Sequence, residues 1–217
     1  MDYVEHGRYG SRPRITGLDP DPEDPDVYLH WNTGILNREA RTLLEEWTRR
    51  SRVPERAAIP GTAIVADIDR QTPAAIAVTH YYDVARECRT CGRPFIFFAV
   101  EQKHWYEELG FPLEADCVNC YPCRKAAQAL QRTRFRYETL VKHPDPSPDE
   151  AAELALARLE LMAAGVFGAR QIDRVRQFLN RFPDHPAADE VRDRLGALNV
   201  ENPSGGRRIR GRRRDRS

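Results

Sequence analysis

The sequence predicts an α+β fold in which a small cysteine-rich module precedes an α-helical region. All five cysteines lie between Cys88 and Cys123, on either side of a strand-like run. Beyond Cys123, apolar residues recur with helical spacing, whereas both ends of the chain are rich in proline, glycine or charge. These three observations predict a compact centre, a helical C-terminal region and two disordered tails.

The cysteines form two groups, Cys88-x-x-Cys91 and Cys117-x-x-Cys120-x-x-Cys123. Two CxxC pairs separated by a couple of dozen residues are typical of a four-cysteine metal site. Zinc prefers four thiolates in a tetrahedron, so we expect one Zn²⁺ per chain. Iron is the alternative, because iron centres also use CxxC pairs. The spacing allows either of two pairs, 117/120 or 120/123, to supply the third and fourth ligands.

Composition narrows the class of protein. The formal net charge is +1, so the chain as a whole is not built to bind polyanions. No apolar run approaches the length of a membrane span, and the N-terminus lacks the features of a signal peptide. We therefore expect a cytoplasmic protein without membrane contact. Thiols stay reduced in the cytosol, so clustered cysteines indicate metal or redox chemistry there.

The N-terminal half contains two predicted segments. Residues 1–26 hold repeated prolines and a run of acids, which predicts a disordered acidic segment. Residues 27–82 are expected to form a small α/β segment. Its predicted elements are a short apolar run at Val27–Trp31, a helix over 38–50 after Asn37, and a possible hairpin of Thr62–Ala66 and Ala74–Thr79. Asp67 and Asp69 between these strands resemble a carboxylate pair with a catalytic or metal-binding role, but a loop between the strands explains them equally well.

Residues 83–143 are predicted to form the zinc-binding domain with its basic helix. Between the cysteine groups the pattern indicates a strand over Pro94–Val100 and a short helix over Glu101–Leu109, ended by Gly110. A long helix is expected from Cys123 to Val141. Placing the last ligands at the start of a helix favours a treble clef, whereas a zinc ribbon would place both knuckles on β-hairpins.

The C-terminal region, residues 147–200, is predicted to be a helical bundle. Helices are expected at about 149–164, 169–181 and 186–198, the first capped by Ser147 or Asp149. The turn around Pro183 resembles that of a tetratricopeptide-type helical hairpin, but no repeat period follows. Residues 201–217 are predicted to be a disordered arginine-rich tail.

Several positions around the cysteines follow a more specific pattern than CxxC alone. Over about residues 82–126 the chain resembles a family of uncharacterised bacterial proteins with a probable zinc-ribbon domain. The matching residues are Cys88, Cys91, Gly92, Phe95, Glu101, Gln102, Trp105, Tyr106, Gly110, Phe111, Cys120, Cys123 and Arg124. The resemblance implies zinc binding and no enzymatic activity. It favours Cys120 and Cys123 as the second ligand pair, because Arg124 then takes the family's position, with Cys117 as the alternative ligand.

We expect a structural metal site, because four thiolates leave no open coordination position for catalysis. No catalytic residue and no small-molecule substrate are predicted, although an enzyme site within residues 27–82 remains a third possibility. The leading hypothesis is a non-enzymatic binding or regulatory module for protein or nucleic acid. The candidate contacts are Arg124, Lys125, Arg132, Arg136, Arg212, Arg213 and Arg214. The alternative is a thiol-based redox or metal sensor that uses Cys117.

Overall fold

The computed structural model describes residues 2–29, 57–72 and 77–201. The chain divides into two compact units, the first extending to Lys125 and the second beginning at Ala126. Each unit is described by itself below. The predicted helix over 38–50 and the arginine-rich tail lie outside the described residues. Across the described ranges, no helix combines the length and apolar character needed to cross a membrane.

The first unit contains two small antiparallel sheets. Strands β1 (Ala57–Ala58), β4 (Val84–Glu87) and β5 (Pro94–Phe97) form one sheet in the order β1-β4-β5. The other pairs β2 (Ile64–Val65) with β3 (His80–Tyr81). The sequence therefore locates the first hairpin strand, but its partner lies just beyond the predicted range of 74–79.

Strand β5 is shorter than the predicted run, because the chain turns into helix α1 (Ala99–Lys103) directly after Phe98. A buried carboxylate fixes this turn: Oδ1 of Asp83 accepts a hydrogen bond of 2.7 Å from the backbone N–H of Ala99. That contact satisfies an amide at the helix start that has no partner within the helix. The chain continues through a π-helical turn, His104–Glu108, and Gly110 follows with a φ of +66°.

The core of the first unit is largely aromatic. Its largest fully buried side chains are Tyr81, Tyr82, Phe97, Phe98 and Tyr106. These side chains come from β3, β5 and the π-helical turn and from the segments next to them. Gln102 is fully buried among them, and its Nε2 donates hydrogen bonds to the carbonyls of Tyr82 and Phe97, at 2.5 and 3.0 Å. The side chain thus joins α1 to the sheet.

The N-terminal segment differs from the predicted disorder. His6 is buried, and the backbone N–H groups of Val4 and Arg14 donate to the carbonyl of Pro94 and to Oδ2 of Asp83 in the domain. The acidic run itself is mostly exposed, as expected of repelling carboxylates. The average composition of these 26 residues therefore does not reveal the contacts of individual residues. Val4, His6 and Arg14 anchor the segment to the domain without a helix or strand.

The second unit is helical. Helix α2 (Tyr121–Leu140) begins in the first unit, and its residues from Ala126 onward belong to the second. Helices α3 (Pro148–Ala163), α4 (Ile172–Arg181) and α5 (Ala188–Glu201) follow. Helices α3, α4 and α5 pack around a core that includes Ala152, Ala155, Leu159, Val175, Phe178 and Val191. The cap of α3 is Ser147, one of the two predicted candidates.

Candidate metal centre

The first cysteine pair lies in the turn between β4 and β5. The backbone N–H of Gly92 donates to the carbonyl of Cys88 at 2.8 Å, and the N–H of Cys88 donates to Arg93 at 3.0 Å. Gly92 has a φ of +70°, a conformation that side chains with a Cβ rarely adopt. The turn is therefore a tight knuckle, with both cysteines on the same short loop.

The second pair lies at the start of α2. Cys120 immediately precedes the helix and Cys123 lies in its first turn. The backbone N–H of Cys120 points at the Sγ of Cys88, 3.3 Å away. This amide hydrogen bond favours the thiolate form of Cys88.

Hydrogen bonds of the backbone and of side chains also join the segments that carry the two cysteine pairs. The N–H of Arg89 donates to the carbonyl of Val118 at 3.0 Å, and the hydroxyl of Thr90 donates to Oδ1 of Asn119 at 3.0 Å. Asn119 lies directly before Cys120 and Thr90 directly before Cys91. The polypeptide thus brings the two pairs together through its own hydrogen bonds as well as through any bound ion.

The structure brings Cys88, Cys91, Cys120 and Cys123 together, with all four sulfur atoms within 4.8 Å of one another. The Sγ atoms of Cys91 and Cys120 are 3.8 Å apart. Sulfurs bound at about 2.3 Å to one tetrahedral ion lie about 3.8 Å apart, so the cluster has the size of a thiolate shell around a metal. Their role as metal ligands remains a prediction.

The pKa values of the clustered thiols favour binding of a cation. Burial alone would raise the pKa of Cys88, but amide hydrogen bonds from Cys120, Cys91 and Thr90 lower it to about 6. The backbone and side chain of Arg93 lower the pKa of Cys91. In contrast, hydrogen bonding with Cys120 raises the pKa of Cys123 to about 12. Two thiolates in this space therefore oppose ionisation of the remaining thiols, and a divalent cation would remove that opposition.

Cys117 lies outside the cluster. Its side chain is buried beside Cys88 and Cys120, and its Sγ contacts the carbonyl of Asn119 at 3.4 Å. Burial raises the pKa of Cys117 to about 12. A reactive thiol needs an accessible sulfur and a low pKa. The surroundings of Cys117 therefore favour a small buried core residue over the sensor that the sequence left open.

The other predicted contact residues are dispersed. Lys125 lies over the ring of Tyr121 in the first unit, whereas Arg136 pairs with Glu153 in the second. Arg132 and Phe135 line an open groove between α2 and α3. The three tail arginines, Arg212, Arg213 and Arg214, lie outside the described residues.

Two histidines that lie near the cysteines in the sequence have local partners outside the cluster. His80 Nδ1 lies 2.9 Å from the hydroxyl of Thr79, and His104 Nδ1 lies 2.7 Å from a carboxylate oxygen of Glu108. Asp67 and Asp69 lie at the short turn Ile68–Arg70 and belong to no metal-ligand cluster within the described ranges. We find no second candidate metal site in that part of the chain.

The family positions Glu101, Trp105 and Arg124 form one contact network. Arg124 donates to Oε1 of the buried Glu101 at 2.7 Å, and its guanidinium lies 5.3 Å from the centre of the Trp105 ring. The charge of Arg124 is therefore engaged inside the domain. His6 contacts the same carboxylate oxygen, with its Nε2 at 3.2 Å. Sequence reasoning missed His6, because no spacing or motif relates it to the cysteines.

Comparison with curated proteins and with solved structures gives no significant match. One family model matches, over residues 82–132, and its description is a probable treble clef domain. That match agrees with the observed arrangement, in which the first cysteine pair lies in the turn between β4 and β5 and the second lies at the start of α2. It decides between the two predicted architectures. Residues 82–132 are thus a treble clef zinc-binding domain with a four-cysteine cluster.

Proposed function

We propose that the protein binds one Zn²⁺ in a structural site and acts as a non-enzymatic binding or regulatory module for protein or nucleic acid. One observation carries this proposal: four cysteine sulfurs within 4.8 Å of one another. Four protein thiolates complete a tetrahedral shell, so neither water nor substrate has a coordination position. Such a site supplies folding free energy rather than catalysis.

Zinc is the best candidate for the ion. Thiolate-rich tetrahedral sites select zinc or iron over the harder divalent cations. Zinc has no redox chemistry, which fits a cluster whose role is to hold a knuckle against a helix. Cys88, Cys91, Cys120 and Cys123 would hold the ion. Iron remains the alternative, because it accepts the same four ligands.

The charge of α2 supports a partner with acidic character. Its only acidic residue is Glu138, whereas its basic residues are Arg124, Lys125, Arg132, Arg134 and Arg136. Arg134 and Arg136 pair with Glu138 and Glu153 at exposed positions, where ion pairs contribute little and solvent reaches both groups. Because Arg124 is paired with the buried Glu101, Lys125 and Arg132 contribute most to the positive field of the helix, which suits phosphate or an acidic protein surface.

Elemental analysis tests the metal. The full chain is purified without added metal, and its metal content is measured beside an absorption spectrum. One colourless zinc per chain, lost in Cys120→Ala but kept in Cys117→Ala, is the expected result. Iron with visible charge-transfer bands, or no bound metal at all, would overturn the zinc assignment.

Oligonucleotide binding tests the partner. Anisotropy of a labelled single-stranded and a labelled duplex oligonucleotide is measured over a series of salt concentrations. Phosphate contact predicts an affinity that falls as salt rises. It also predicts weaker binding for Lys125→Ala with Arg132→Ala than for a control pair in α4, Arg174→Ala with Arg176→Ala. Absence of binding at low salt would leave a protein as the partner to pursue.

A further inference from the structure

Residues 4–10 contact the treble clef domain at three places close to the cysteine cluster. The first is at the start of β5, just after the first cysteine pair, where the backbone N–H of Val4 donates to the carbonyl of Pro94 at 2.8 Å. The side chain of Val4 packs against the buried cluster that includes Cys88 and Cys120. The segment thus packs against the cluster to which one cysteine of each pair belongs.

The second contact is a hydrogen-bond network through His6, which is buried. Its Nδ1 accepts hydrogen bonds from the backbone N–H groups of Arg8 and Tyr9, at 3.1 and 3.2 Å. Nδ1 is therefore the unprotonated nitrogen, and this network assigns the proton to Nε2. That proton faces Oε1 of Glu101, the atom that also accepts from Arg124. Through Glu101, His6 is linked to the residue that follows Cys123.

The third contact is a close approach of backbone to a ring. Gly7 lies against Tyr121, so that a Cβ at Gly7 would be 2.7 Å from the ring. The ring of His6 lies 4.4 Å from the same tyrosine, centre to centre. Tyr121 is the residue directly after Cys120. Only a residue without a side chain allows the segment to lie this close to the start of α2.

We propose that residues 4–10 hold the second cysteine pair in place against the first and so slow the release of the metal. His6 and Gly7 are positioning residues in this account, since neither reaches the sulfurs. The inference rests on the proposed metal site. It concerns a part of the chain outside residues 82–132, so it adds an element that the matched domain does not contain. Neighbours that orient ligands typically change metal affinity by about 10- to 100-fold.

Metal release from the full zinc-loaded chain tests the proposal. An excess of a coloured chelator is added, and the rate of zinc transfer is followed for the wild type, His6→Ala and Gly7→Ala. We expect release to be about 10-fold faster in both variants. Gly168→Ala is the matched control, because a Cβ there meets no atom within 4 Å. Release at the wild-type rate in folded His6→Ala and Gly7→Ala would overturn the proposal.

A second pair of variants separates positioning from general loss of stability. Val4→Ala removes the contact beside the cysteines, whereas Val78→Ala removes a buried side chain from the other cluster, around Tyr81 and Tyr106. We expect Val4→Ala to accelerate release more than Val78→Ala does. Equal or greater acceleration by Val78→Ala would attribute release to global unfolding and overturn the proposal. A wild-type chain that binds no metal would instead refute the proposed function.

Discussion

Glu101 is a buried carboxylate that accepts hydrogen bonds from the guanidinium of Arg124 and from Nε2 of His6. Its side chain is 5% exposed, that of His6 is 7% exposed and that of Arg124 is 20% exposed. A buried charge is stable only when it is paired and hydrogen-bonded. The Glu101–Arg124 pair therefore holds α1 and the start of α2 together. Its stabilising effect is lost when either partner is removed.

Replacing that carboxylate tests its role at the residue scale. Glu101→Gln keeps the shape but leaves Arg124 without a counter-ion, so we expect the first unit to lose about 2 kcal/mol of unfolding free energy. The partial exposure of Arg124 keeps the loss below that of a fully buried pair. Urea denaturation of the zinc-loaded protein measures it. Glu114→Gln, at an exposed carboxylate, is the control and should leave the midpoint unchanged.

Cys117 gives a second test at the same scale. Because burial raises its pKa to about 12, the thiol should resist alkylation in the folded protein. We expect iodoacetamide to leave Cys117 unmodified until the protein is unfolded, as measured by mass spectrometry of digested peptides. Cys91, which is exposed, provides the comparison after removal of the metal. Rapid alkylation of Cys117 in the folded, metal-loaded chain would restore the sensor hypothesis.

At the scale of elements, the capping box of α3 combines a helix start with a titratable group. The hydroxyl of Ser147 accepts from the N–H of Glu150, and Glu150 accepts from the N–H of Ser147 at 2.9 Å. Both contacts satisfy amides that the helix itself leaves without partners. We expect Ser147→Ala to destabilise the second unit by about 1 kcal/mol. Ser147→Asp should restore most of the loss in thermal denaturation followed by circular dichroism.

The same box predicts a pH dependence. The hydrogen bond from the backbone of Ser147 lowers the pKa of Glu150 below its usual 4.5. The carboxylate's contribution is fully present above pH 4.5 and is lost as pH falls through the lower value in the folded protein. Urea midpoints of the second unit should therefore fall on acidification through this range. A smaller fall of the urea midpoint in Glu150→Gln than in the wild type would assign the pH dependence to this carboxylate. Identical pH profiles for the two proteins would contradict the prediction.

Periodic and motif-bearing elements were predictable from the sequence, because their signals are local. Helix α3 and its cap, the end of the π-helical turn at Gly110 and the two CxxC knuckles all depend on neighbouring residues. Strand β5 was predicted too long, since apolar Ala99 and Val100 fit a strand as well as a helix. What ended it is Asp83, a residue distant in sequence that caps the helix start.

The contacts of residues 4–10 could not be predicted, because a hydrogen bond between His6 and Glu101 has no local signature. The same limit applies to Cys117. Its spacing to Cys120 equals that of Cys120 to Cys123, and only the fold shows that its sulfur lies outside the cluster. Sequence thus predicted which cysteines would lie together, while long-range packing places the sulfur of Cys117 outside that group.

At the scale of the whole molecule, the two compact units have separate buried clusters. The second unit is held by apolar contacts among α3, α4 and α5, whereas the first combines aromatic clusters with the cysteine site. A bound metal stabilises only the folded state that presents its ligands. The effect of metal should therefore be confined to the first unit.

Removing the metal tests that separation. A chelator strong enough to strip the zinc should lower the unfolding temperature of the first unit, since the free energy of metal binding then no longer stabilises its folded state. The helical signal of the second unit should persist and melt at its original temperature. Differential scanning calorimetry with and without chelator measures both transitions, and re-added zinc should restore the first. A shift of equal size in both would show that the units unfold together.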